Sequence, residues 1–157
     1  EEAGRKGADA AKADCIVSAN FCPEFCQPDY AFFTNSKRFE KLDLAALPCP
    51  VVLTSNLRPL PQGALAVNYD RLAAPDVQNA SLGSNSVLML LRLLRLCGAK
   101  AVLLAGADGY KPGTPAYADS LLHAHTGRGA AFNTAMAGAI KACGLDVTFI
   151  TPSEYAK

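Results

Sequence analysis

The order of apolar and polar positions between Ser84 and Tyr110 predicts a buried helix followed by a buried strand. Polar residues at 84–86 can cap a helix, and the run from Val87 to Leu96 is apolar except for two arginines. Gly98 then provides a natural helix stop, and the short apolar run AVLLAG is typical of a central parallel strand. Because the arginines interrupt the run well before about 18 residues, we expect no membrane span here.

Five other short apolar runs predict strands of the same kind: CIVSAN, YAFFT, VVLTS, ALAVN and DVTFIT. Helices are predicted up to about Ala13, over SKRFEKLDLAAL, and from about Gly129 to Cys143. The apolar stripe of the last helix is predicted to be Phe132, Ala135, Met136, Ala139, Ile140 and Cys143. This order predicts an α/β fold: a three-layer, Rossmann-like, mostly parallel sheet of about six strands with helices on both faces.

Length and composition narrow the class of protein. A chain of 157 residues predicts one domain over 1–157, and its opening on Glu1 leads us to expect a fragment of a longer chain. A net charge of +1 gives no general attraction to nucleic acid or to an anionic membrane. The cysteines are scattered, which favours free thiols in a cytoplasmic protein over a disulfide framework. They are Cys15, Cys22, Cys26, Cys49, Cys97 and Cys143.

Polar residues follow the predicted strands, at the positions where ligands gather in parallel sheets. They are Asn20, Asn35, Ser55, Asn56, Asn68, Asp108 and Tyr110. An asparagine there can offer a donor and an acceptor to a base or a sugar, and it is also a common turn residue. The free amides near Ser84, Asn85 and Ser86 can seat a phosphate or carboxylate, or can form an ordinary helix cap. Both interpretations stay open for each position.

Several of these segments together resemble a known family. SNSVLMLLRLLRLCGAKAVLLAGADGY, with Tyr117 after it and LLHAHTGRG before the last helix, is similar to the bacterial sialyltransferases that include the Campylobacter lipooligosaccharide enzymes. IVSANF, DYAFFTNSKRFEKL and VVLTSN resemble the same family's asparagine-ended strands. The chain also resembles the sialyltransferase-like region at the C-terminus of some bacterial proteins with an aldolase-type TIM barrel, of the 4-hydroxy-2-oxovalerate aldolase type. The resemblance covers nearly the whole chain.

The resemblance implies a Rossmann-like fold that binds a cytidine monophosphate sugar. It places Asn20 and Asn35 near the nucleotide and the turn over residues 84–86 on the donor. It makes Tyr110 and Tyr117 the groups that steady the phosphate leaving group, and His125 the general base. No cofactor is implied. An alternative is a metal site formed by His123 and His125, for which Asp119 is a further candidate but not a clear third ligand.

Two functional hypotheses follow, and they leave open whether the chain is an enzyme. One is a glycosyltransferase that uses a cytidine monophosphate sugar with His125 as base. The other is a non-catalytic domain, binding a nucleotide or nucleotide-sugar, beside a TIM barrel in the same bacterial lyase. The family's glycine-containing nucleotide loop would precede Glu1, and Ser18 stands where the family has an arginine. These departures favour the second hypothesis.

Overall fold

The computed structural model describes residues 13–20, 26–43, 46–73, 80–111 and 129–157. These residues fall into two compact units: an amino-terminal unit, which ends at Cys97, and a carboxyl-terminal unit, which begins at Gly98. Both contain parallel strands and helices, so the predicted α/β class is confirmed. That residues 1–157 form one domain of a longer chain stays a prediction.

The amino-terminal unit contains a four-stranded parallel sheet whose strands lie side by side in chain order. The strands are β1 (Val17–Ala19), β2 (Tyr30–Phe33), β3 (Val51–Thr54) and β4 (Leu65–Val67). The register pairs Phe32 with Val52 and Leu53 with Ala66. All four strands lie within the apolar runs that predicted them.

The helices found in the described residues of this unit are α1 (Ser36–Phe39), α2 (Tyr69–Leu72), α3 (Ala80–Gly83) and α4 (Ser86–Leu96). The prediction of α4 is confirmed, with Gly98 at φ +92 just beyond its end. The helix predicted over SKRFEKLDLAAL is too long, because α1 ends at Phe39 and a turn follows. Leu42 and Leu47 nevertheless pack against the same apolar cluster as Phe39. Their spacing therefore reflects core packing rather than one continuous helix.

Strand alternation sends side chains to opposite faces of the four-stranded sheet, and both faces are covered. One face carries a buried cluster of Ala31, Phe33, Phe39, Leu53 and Leu57. The other carries Phe32, Val52, Leu72, Met89 and Leu90, so that α2 and α4 pack on it. Both faces of this parallel sheet are therefore covered, and the predicted three-layer, six-stranded Rossmann-like sheet stays a prediction.

In its described residues, the carboxyl-terminal unit contains a two-stranded parallel sheet and a long helix. Its elements are β5 (Ala101–Leu104), α5 (Ala130–Ala142), β6 (Asp146–Phe149) and a 3₁₀ helix (Glu154–Ala156). The predicted apolar stripe of α5 is right at Phe132, Met136 and Ile140 but wrong at Ala135, which is exposed. Asn133 is buried instead, because its side chain bonds to backbone elsewhere in this unit. No helix in the described ranges is long and apolar enough to cross a membrane.

Candidate functional site

Asparagine side chains form hydrogen bonds between strand ends at the carboxyl edge of the four-stranded sheet. Asn20 follows β1 with a left-handed φ of 56°, which asparagine tolerates better than most residues. Its backbone N–H donates to Phe32 O at 2.7 Å, and its Oδ1 accepts from Thr34 N–H at 2.9 Å. Asn56, which follows β3, donates from Nδ2 to Thr34 O at 3.3 Å. The ends of three neighbouring strands are thereby joined through the backbone of Thr34.

Each of these two amides uses only one of its polar ends. Among the described residues, no partner is found for Nδ2 of Asn20 or for Oδ1 of Asn56. Asn20 is only 7% exposed, whereas Asn56 is exposed. A hydrogen-bond donor and an acceptor are therefore held in fixed positions at one edge of the sheet.

The other polar residues at this edge connect strands to helices. Asn35 caps α1 by accepting from Arg38 N–H at 3.2 Å, and Asn68 caps α2 by accepting from Arg71 N–H at 3.0 Å. Ser55 Oγ accepts from Tyr69 N–H at 2.9 Å, which ties the end of β3 to the start of α2. Helix capping therefore accounts for Asn35 and Asn68 at the ends of their strands. The binding of a ligand by Asn35 stays a prediction.

The start of α4 has the cap that the sequence predicts. Asn85 is the N-cap, and its Oδ1 accepts from Val87 N–H at 2.9 Å and Leu88 N–H at 3.4 Å. Ser84 is exposed and Ser86 is the first residue of the helix. The cap interpretation is confirmed, while a phosphate or carboxylate at residues 84–86 stays a prediction.

At the carboxyl edge of the two-stranded sheet, hydrogen bonds join the end of β5 to the end of β6. Gly106 N–H donates to Thr151 Oγ1 at 2.9 Å, and Ser153 Oγ donates to the carbonyl of Ala107. The backbone of Asp108 accepts from Glu154 N–H at 2.8 Å. The Asp108 residue is exposed, and its predicted role in ligand binding stays a prediction.

Tyr110 is held by two successive residues of α5. Asn133 Oδ1 accepts from Tyr110 N–H at 3.0 Å, and Asn133 Nδ2 donates to Tyr110 O at 2.8 Å. The Tyr110 ring packs edge-on against Phe132, with centroids 5.4 Å apart. Sequence reasoning missed Asn133, because the apolar pattern of its helix gives no signal for a buried asparagine that bonds to distant backbone. It also missed Thr34, which contributes only backbone atoms and gives no side-chain signal.

The remaining predicted catalytic residues, Tyr117 and His125, lie outside the described residues, as do His123 and Asp119. The ligand-binding candidates Asn20, Asn35, Asn56 and residues 84–86 belong to the amino-terminal unit, whereas Asp108 and Tyr110 belong to the other unit. Within the described ranges, no cluster of three histidine, cysteine or acidic side chains could hold a metal ion.

A shallow concavity of about 380 Å³ lies beside α5 in the carboxyl-terminal unit. Its lining includes small residues of α5, among them Ala137 and Gly138, together with Lys141 and the Lys157–Glu154 ion pair. Of the predicted site residues, none lines it. The candidate site therefore remains the carboxyl edge of the four-stranded sheet.

Comparison of the chain with protein-family models, curated proteins and solved structures found no match. The resemblance to sialyltransferases rests on the short motifs quoted above. It therefore contributes to the function of this chain only as a proposal.

Proposed function

We propose that this chain is a ligand-binding domain and that its ligand is a nucleotide or nucleotide-sugar. The observation that carries the proposal is the hydrogen-bonded chain from Asn20 through Thr34 to Asn56. It fixes two amides at the carboxyl edge of a parallel sheet, where ligands commonly bind. The open donor of Asn20 and the open acceptor of Asn56 suit the mixed polar edge of a base or sugar.

The proposal includes a wider setting, taken from the resemblance. The domain is the accessory part of an aldolase-like bacterial protein, with a TIM barrel in the same chain, a cytoplasmic location and a single six-stranded Rossmann-like sheet. The parallel pairing of every strand in the described ranges supports the Rossmann-like sheet in this setting. None of the five cysteines that the structure describes forms a disulfide, in keeping with a reducing compartment.

The second candidate function is a glycosyltransferase that uses a cytidine monophosphate sugar. It is favoured by the fixed position of Tyr110, whose backbone and ring are both held by α5. In that reaction the phenols of Tyr110 and Tyr117 would donate to the departing phosphate. His125 would take the proton of the acceptor hydroxyl, as an imidazole can near neutral pH.

Binding of cytidine monophosphate to the folded protein tests the proposed function. We expect a melting temperature that rises with nucleotide concentration, because the ligand binds only the folded state. Asn20→Asp keeps the acceptor for Thr34 N–H and the same size, but replaces the open Nδ2 donor with a carboxylate oxygen. We expect this variant to bind at least about tenfold more weakly, because an unmade hydrogen bond costs on the order of 1–3 kcal/mol.

Asn68→Asp is the matched control. It adds the same charge at the end of β4, and aspartate caps a helix as well as asparagine does, so binding should stay close to that of the natural sequence. Absence of any thermal shift at millimolar nucleotide would contradict the proposal. Release of free sugar or a glycosylated product from the sugar nucleotide, abolished in His125→Ala, would instead support the glycosyltransferase.

A further inference from the structure

Charged residues are distributed unevenly between the two edges of the four-stranded sheet. Because its strands are parallel, the residues that directly follow a strand lie at the carboxyl edge, and those that directly precede one lie at the amino edge. The four residues after each of β2, β3 and β4 include three basic side chains and one acidic side chain. They are Lys37, Arg58, Arg71 and Asp70.

The amino edge of the same sheet carries the opposite charge. The four residues before each strand include no lysine or arginine, and their charged members are Asp14 and Asp29. The chain as a whole has a net charge of only +1, so the positive charge of the carboxyl edge is a local feature. Such a local excess attracts an anionic group. It lies at the edge where Asn20 and Asn56 each keep one open polar end.

Arg58 is the basic residue that follows β3, two positions after Asn56. Its Nη1 donates to Leu57 O at 2.8 Å, which holds the guanidinium beside the residue that separates Arg58 from Asn56. Leu57 is 1% exposed and its N–H donates to Thr54 O at 3.0 Å, so this turn is fixed to the sheet. Arg58 is exposed, and among the described residues no partner is found for its other N–H groups. An arginine has five such donors, so several stay open to a ligand.

We propose that Arg58 binds the phosphate of a nucleotide whose base or sugar is bound by Asn20 and Asn56. The inference rests on the proposed function and narrows its ligand to a phosphorylated nucleoside. A guanidinium can donate two parallel N–H···O bonds to a phosphate, a geometry that a neutral ligand cannot use. Consecutive Cα atoms are about 3.8 Å apart, so a guanidinium held at Leu57 lies close enough to Asn56 for one nucleotide to contact both.

Calorimetric titration of the folded chain with cytidine and with cytidine monophosphate tests the proposal, because the two ligands differ only in the phosphate. We expect the monophosphate to bind at least about tenfold more tightly, since hydrogen bonds between charged groups are the stronger ones. Arg58→Gln should lower the affinity for the monophosphate to that for cytidine and leave cytidine binding unchanged. Arg58→Lys keeps the charge without the planar donor pair and should retain part of the preference.

Arg71→Gln is the matched control, because Arg71 is also exposed but follows β4, which bears neither open amide. It should change either affinity by less than about twofold, since solvent and salt screen exposed charges. Equal affinities of the natural chain for the two ligands would overturn the role of Arg58 and leave nucleoside binding intact. Equal losses in Arg58→Gln and Arg71→Gln would do the same. Absence of binding by both ligands would overturn this inference together with the proposed function.

Discussion

The two parallel sheets end in edges that are built differently. At the four-stranded sheet, Asn20 and Asn56 each use one end of an amide to tie strands together and leave the other end open. At the two-stranded sheet, Asn133 uses both ends of its amide on the backbone of Tyr110. Ser153 likewise donates to Ala107 O and accepts from Tyr155 N–H.

This difference separates a structural role from a binding role for the same residue types. A buried amide whose two ends are both bonded stabilises the fold and has little left to offer a ligand. An amide with one bonded end is held in place and keeps a second group for binding. The comparison therefore predicts large losses of stability from substitutions at the two-stranded edge, and losses of binding from substitutions at the four-stranded edge.

The largest loss of stability is expected for Asn133→Ala. It removes both hydrogen bonds to the half-buried backbone of Tyr110 and leaves a gap where the buried Asn133 side chain packs, which should lower the free energy of unfolding by about 4 kcal/mol. Urea unfolding followed by circular dichroism measures this change. Thr134→Ala, at the neighbouring exposed position, should change stability by less than about 0.5 kcal/mol. Equal effects of the two substitutions would contradict the structural role of Asn133.

Alanine substitutions at two glycines distinguish the cost of backbone strain from the cost of crowding at the two-stranded edge. Gly109 and Gly63 have nearly the same φ, +79° and +80°. A Cβ on Gly109 would lie 2.8 Å from Glu154 Cβ, whereas a Cβ on Gly63 meets nothing within 4 Å. We expect Gly63→Ala to cost about 1 kcal/mol and Gly109→Ala about 3 kcal/mol in thermal unfolding. Equal costs would show that the edge has room for a side chain.

A pair of serines gives the smallest expected changes. Ser153 makes two hydrogen bonds, so Ser153→Ala should lower the free energy of unfolding by about 2 kcal/mol. The Oγ of Ser18 is buried, and the described part of the chain offers it no partner. Ser18→Ala should therefore be neutral or stabilising by up to about 1 kcal/mol. Clear destabilisation by Ser18→Ala in the same assay would mean that its hydroxyl does have a partner.

The strands were predictable because short apolar runs bounded by polar residues mark them directly, and the six strands in the described ranges lie where the runs occur. The length of α1 was not. Phe39, Leu42 and Leu47 fall near helical spacing, yet tertiary packing half-buries Leu42 and Leu47 without continuing the helix. One helical turn is costly to nucleate, so contacts outside the segment decide where it ends.

The candidate site was predictable only in part. The strand-end asparagines were visible as polar residues after apolar runs. Whether each one caps a helix or bonds to a neighbouring strand depends on the fold around it, which the sequence does not show. Asn20 bonds to Thr34, and Asn133 bonds to Tyr110, 23 residues away. Apolar periodicity carries no signal for a buried polar residue whose partner is distant backbone. The burial of Asn133 could therefore not be deduced from its own helix.

The most direct test of the binding edge is a ¹⁵N NMR titration of the chain with cytidine monophosphate. Side-chain amide signals of Asn20 and Asn56 and the backbone N–H of Thr34 report on the four-stranded edge, while the backbone N–H groups of Tyr110 and Glu154 report on the two-stranded edge. We expect the first set to shift with nucleotide concentration and the second to stay in place. Shifts confined to Tyr110 and Glu154 would contradict the assignment of the ligand edge.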